Sequence, residues 1–153
     1  MHRYTLQLTW TGNRGPGTTG YREYGRDATA SAGAKPDLLV TADPAYRGDA
    51  DRWNPEELLV AALAQCHLLW YLHLCSSAGV VVRQYTDSPV GELVVHPDGG
   101  GEFSSVTLHP RVVVAEQGMR ERALALHAQA HQLCFIARSV AFEVGCEPLV
   151  TVE

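Results

Sequence analysis

The sequence predicts an α+β domain organised around two long helices. Three observations carry this prediction. Residues 3–10 alternate, with Tyr4, Leu6, Leu8 and Trp10 separated by polar partners, as a strand does. A dense apolar run from Leu58 to Leu74 follows a helix-start signature at Asn54-Pro55-Glu56-Glu57. A second helical pattern from Gln117 to Ala137 is flanked on both sides by strand-like segments. At 153 residues the chain sits near the usual size of one domain, so a single domain over 1–153 is expected.

In chain order, the 3–10 strand ends in the turn Gly12–Gly20, and a second strand is expected over Tyr21–Ala28. Ser31–Arg52 is rich in Ala, Gly, Pro and Asp without a sustained period, which reads as a long loop. Asn54 caps the first helix, Pro55 suits its first position, and Glu56 and Glu57 favour the positive end of its dipole. That helix should run to Ala78, stop at Gly79 and, being apolar on almost every face, lie buried at the centre. Val80–Tyr85, Val90–His96 and Phe103–Val114 read as strands, the last two joined by the hairpin loop Pro97–Gly101. The second helix carries Leu124, Leu126, His127, Ala130, His131 and Cys134, and Val140–Val152 is the closing strand.

Composition removes several classes of function. Apolar residues make up 46% of the chain, enough for a real core. A net charge of -5 argues against binding nucleic acid through its phosphates. No uninterrupted apolar run reaches the roughly 18 residues of a membrane span, because Gln65, Cys66, His67 and His73 break Leu58–Leu74. The N-terminus lacks the apolar core of a signal peptide, so a cytoplasmic location is expected, with reduced cysteines. There is no G-x-S-x-G, no G-x-x-x-x-G-K-[ST] and no C-x-x-C, and the Gly99–Gly101 cluster precedes a strand, a poor phosphate cradle.

Four cysteines remain, and position separates them. At about 100° per residue, Trp70 and His73 share the face of Cys66, while Cys75 lies opposite and reads as a packed thiol. Cys146, in the closing strand, reads the same way. Cys134 follows His127 and His131 at helical spacing. That set reads as a second redox thiol, as part of a metal site completed by Cys66, His67 or His73, or as two histidines beside a core cysteine. A pocket of Trp70, His67, His73, Phe135, His127 and His131 for a small ligand is the binding-protein alternative.

The string Asn54-Pro55-Glu56-Glu57-Leu58-Leu59-Val60-Ala61-Ala62-Leu63-Ala64-Gln65-Cys66 resembles the N-P-E-E-L … C helix of the OsmC/Ohr family of organic hydroperoxide reductases. His131-Gln132-Leu133-Cys134 is similar to the family's second cysteine motif, and the Trp10-Thr11-Gly12 turn and Tyr46-Arg47-Gly48-Asp49 are similar as well. The chain departs from the common pattern at Phe135, where many members have proline, and at His67 directly after the first cysteine.

The resemblance implies an OsmC-like fold, antiparallel sheets wrapped around two long central helices in an intertwined homodimer. It implies a peroxidase in which Cys66 attacks an organic hydroperoxide and Cys134 resolves the sulfenic acid as a disulfide. An external dithiol, typically a lipoylated protein in the family, reopens that bridge, and no metal, flavin or haem is called for. A thiol of pKa near 8.5 needs a cation nearby, and Cys66, mid-helix, gets no help from the N-terminal dipole. The family pairs a helix-start glutamate with an arginine. Glu56 matches the glutamate, Arg47 is the choice for the arginine, and Arg14, Arg22 and Arg26 are its rivals. Glu56 is ten residues before Cys66, roughly 15 Å along the helix, so a site shared between two subunits is expected.

Overall fold

The computed structural model describes residues 1–153. The chain forms two compact units, Met1–Leu58 and Leu59–Glu153. The first contains β1 (Gln7–Trp10), β2 (Ala28–Ser31) and β3 (Leu38–Val40), an antiparallel sheet in the order β1-β2-β3. Tyr21–Ala28 is not a strand, as only Ala28 enters β2. Its residues fold back on themselves instead. Arg26 lies 4.4 Å from the Tyr21 ring centre and 4.0 Å from that of Tyr24, and donates to both their carbonyls. Gly12 permits this turn: a Cβ there would collide with the Gly25 carbonyl, whose oxygen also accepts from Trp10 Nε1 at 2.9 Å. The Ser31–Arg52 segment is less irregular than expected, since it holds β3 and a 3₁₀ turn at Pro44–Tyr46.

Helix α1 (Pro55–Ser77) starts in a capping box. Asn54 Oδ1 accepts from the Glu57 N–H at 2.8 Å, and Glu57 Oε2 accepts from the Asn54 N–H at 3.2 Å. It ends where Gly79 takes φ 71°, and the Val80 N–H reaches back to the Cys75 carbonyl at 2.9 Å. Its burial differs from the expectation. Only Leu63, His67, Tyr71 and Cys75, spaced four apart, are buried. By length and composition α1 could cross a membrane, yet this stripe enters the core of the second unit.

That unit continues with β4 (Val82–Thr86), β5 (Val90–Val95), β6 (Gly101–Leu108), β7 (Arg111–Val114), α2 (Arg120–Leu133), β8 (Glu143–Cys146) and β9 (Leu149–Val152). Two sheets result, β4-β7-β9 and β5-β6-β8. Phe103–Val114 and Val140–Val152, each expected as one strand, are each cut in two. Pro110 and Pro148 have no N–H to offer a ladder, and at those points the chain passes from one sheet to the other. The two breaks coincide, with the Leu149 N–H bonded to the Pro110 carbonyl at 2.9 Å. The pairings β4–β7 and β5–β6 are antiparallel, whereas β6–β8 and β7–β9 run parallel. One core cluster gathers Tyr71, Cys75, Val112, Val114, Leu126 and Val150, and a second gathers Leu63, Val106 and Leu108.

Candidate redox site

Cys66 flanks the buried stripe of α1 and is half-buried. Cys134 is fully buried, but not inside a helix as the sequence suggests. Helix α2 ends at Leu133, and Cys134 caps it in an extended conformation (φ -64°, ψ 112°). From the cap its Sγ accepts from the Ala137 N–H at 3.4 Å. Burial first, and then the nearby thiol of Cys66, push the Cys134 thiol up to about 11. The two long helices thus bring a half-buried and a buried sulfur together, both as free thiols. Trp70, one turn beyond Cys66, meets the ring of Phe135 edge-on at 5.6 Å, and Phe135 itself is 65% exposed.

The charged residues expected here lie in the first unit. Glu56 occupies the first turn of α1, and its Oε2 is buried with no hydrogen-bond partner. Arg47 closes the 3₁₀ turn in the left-handed conformation (φ 68°), and its exposed side chain makes no ion pair, with Glu56 or any other acid. Arg26 is held by the two tyrosines, and Arg52 lies 3.9 Å from Asp27 and 3.6 Å from Asp49. Arg14 and Arg22 are exposed. Glu56 and Cys66 stay about 15 Å apart along one helix.

A second cluster was not visible in the sequence. His67 Nε2 and His127 Nδ1 are 2.9 Å apart, and Cys146 Sγ lies 3.8 Å from the same His67 nitrogen. Both imidazoles are buried, and their rings extend a stack through Tyr71, 3.9 Å from His127. Burial lowers His67 to about 4, with His131 adding to the effect, and lowers His127 to about 3, with His67 adding to it. The His127-His131-Cys134 trio considered from spacing is therefore not the one the fold assembles. Cys146, read as a plain packed thiol, belongs to this cluster. The available signal was His67 itself, a polar residue in the i, i+4 stripe Leu63-His67-Tyr71-Cys75.

The family model described as OsmC-like protein matches residues 48–147, more than half of the chain. The chain belongs to the OsmC-like protein family. Among solved structures, an OsmC-like protein of unknown function from Vibrio cholerae is 30% identical, with a TM-score of 0.87 over 97% of this chain and 100% of that one. An organic hydroperoxide resistance protein from Elizabethkingia anophelis is 20% identical (TM-score 0.69; 99% of each chain), and the organic hydroperoxide resistance protein OhrB of Bacillus subtilis is 22% identical (TM-score 0.63; 97% of this chain, 98% of that one). At such identities these two share the fold. No curated protein matches the chain. The α+β OsmC-like fold expected from the sequence is the fold observed.

Proposed function

We propose that this OsmC-like protein is a thiol peroxidase that reduces organic hydroperoxides to alcohols. One observation carries the reading, the approach of Cys66 on α1 to Cys134 at the end of α2. The half-buried Cys66 is the one a substrate can reach, so it attacks. Its sulfur takes the terminal oxygen of the hydroperoxide, the O–O bond breaks, and the leaving alkoxide takes a proton to depart as the alcohol. The Cys66 sulfenic acid then condenses with the thiol of Cys134, forming a disulfide and releasing water. An external dithiol, a lipoylated protein by family resemblance, exchanges with the bridge and restores both thiols. Four free cysteines suit the reducing compartment such a cycle needs. Trp70 and Phe135 favour a substrate with an apolar body over hydrogen peroxide.

Activation of Cys66 is assigned to Arg47, held by Glu56. Arg47 has no acid of its own in the chain, and Glu56 keeps a buried oxygen without a partner. Because Glu56 cannot reach the Cys66 of its own helix, the site is completed by a second copy of the chain. Mass mapping after one equivalent of an alkyl hydroperoxide tests the cycle. A single Cys66–Cys134 bridge is expected, with no consumption of peroxide by Cys66→Ser. Unchanged turnover in that variant refutes the reading.

A further inference from the structure

The His67–His127–Cys146 cluster lies outside the proposed peroxidase cycle and gathers three metal-ligating side chains in the core. Two imidazoles and a thiol occupy the core, and the two rings share one hydrogen bond between them. His67 Nδ1 and His127 Nε2 are buried with no partner, where most buried polar atoms have one. The three facing atoms, His67 Nε2, His127 Nδ1 and Cys146 Sγ, lie within 4.8 Å of one another. Each comes from a different rigid element, α1, α2 and β8. A cavity of about 430 Å³, bordered by His127, His131, Val144 and Cys146, opens beside them.

We propose that these three side chains form a zinc site, with the fourth coordination position open to that cavity. The donors suit this ion, two imidazole nitrogens and one thiolate being an ordinary set for zinc with solvent as fourth ligand. Ideal tetrahedral bonds of about 2.0 Å to nitrogen and 2.3 Å to sulfur place the nitrogens roughly 3.3 Å apart and each about 3.5 Å from the sulfur. Along the two His67 edges, 2.9 and 3.8 Å, that takes a few tenths of an ångström, and the third edge, His127 Nδ1 to Cys146 Sγ, starts within 4.8 Å and closes as the ring turns toward the thiol. Two further features point the same way. Burial keeps both histidines neutral near pH 7, so metal binding needs only the shared hydrogen to move to a far ring nitrogen, with no imidazolium to deprotonate. Burial first, and then Asp87 and Glu147, push the Cys146 thiol up to about 11. The negative charge of those two carboxylates disfavours a bare thiolate and favours a dication that captures it.

The test uses the full chain, freed of metal with a chelator and titrated with Co²⁺ as a coloured substitute for zinc. One equivalent is expected to bind, with a thiolate-to-cobalt charge-transfer band that one equivalent of Zn²⁺ removes. Cys146→Ser should lose the band, while the double variant Cys66→Ser with Cys134→Ser should keep it. No band in the wild type, persistence in Cys146→Ser, or loss in the double variant each overturns the proposal. X-ray absorption at the zinc edge of the wild-type protein needs no substitution to fold. Two imidazole nitrogens and one sulfur are expected around the ion, and a shell with no sulfur or two sulfurs excludes the site.

Discussion

At the scale of residues, the two candidate redox cysteines differ in environment, and the difference has consequences. Cys134 is buried and its thiol is held up near 11, so it is a poor first nucleophile and a suitable second one. Cys134→Ser should therefore still react once with hydroperoxide at Cys66. It should then accumulate Cys66 sulfinic acid under excess peroxide, because nothing condenses with the sulfenic acid, and intact-mass spectra would report a gain of two oxygens. Recovery of a fully reduced, cycling enzyme would remove Cys134 from the cycle. The histidine pair makes a separate prediction about stability. In the metal-free protein, His67 and His127 take up protons only near pH 4 and below, whereas in the unfolded chain they do so near 6.5. Between those values the unfolded state holds more protons, so stability falls as pH drops from about 6.5 toward 4. The two rings share a hydrogen bond and titrate as one coupled pair, so the fall belongs to the pair. Urea midpoints across this range should decline, and His127→Gln should flatten the decline. An identical slope in the variant would assign the effect to other groups. Cys66 and Glu56 were legible in the sequence as candidates because one helix motif carries both, and Cys134 through a second, shorter motif. The histidine pair was not, because it joins residues sixty apart through packing and no local period records that.

At the scale of elements, legibility followed local chemistry. The start of α1 was readable to the residue because Asn54, Pro55 and Glu57 act within one turn. Asn54→Ala, which removes one half of the capping box, should cost about 1 kcal/mol, measured as a lower urea midpoint with an unchanged m-value. An unaltered midpoint would mean the box contributes nothing to the fold. The end of α1 was equally readable from Gly79. The strand breaks were legible in principle, since Pro110 and Pro148 are in plain view. Alternating apolar residues on both sides of each proline nevertheless read as one strand, and only the crossing between two sheets explains why each pattern continues. The end of α2 was misplaced for a related reason. The apolar and histidine spacing continues through Cys134, yet the chain turns extended there and forms a short 3₁₀ turn at Ala137–Ser139. That departure leaves Cys134 at the cap, where its Sγ accepts from the Ala137 N–H.

At the scale of the whole molecule, the sequence describes a more buried α1 than a single chain provides. Leu69 is 59% and Leu72 is 37% exposed on a helix read as central, and Val90, Val94 and Val95 of β5 are each about half exposed. In the first unit, Leu6 and Leu8 of the N-terminal segment are more than 60% exposed. Apolar surface on that scale calls for a cover, and under the proposed shared site a second copy of the chain would supply it and also answer the reach of Glu56. If each active site takes Cys66 from one chain and Glu56 from the other, two defective chains can repair each other. Cys66→Ser and Glu56→Gln should each be strongly impaired alone. Co-refolded in equal amounts, half of the dimers are mixed, and each mixed dimer has one site with an intact cysteine and an intact glutamate. The mixture should recover roughly a quarter of the wild-type rate with an alkyl hydroperoxide, as random pairing in a two-fold dimer requires. If Glu56 serves its own chain, every Cys66 in the mixture either is missing or stands beside a glutamine, and no activity returns. With a short tag on one variant, native mass spectrometry of the same samples resolves the mixed dimer from the two homodimers, so a failure to recover in a proven mixed dimer places the arginine-holding glutamate within one chain and refutes the shared site.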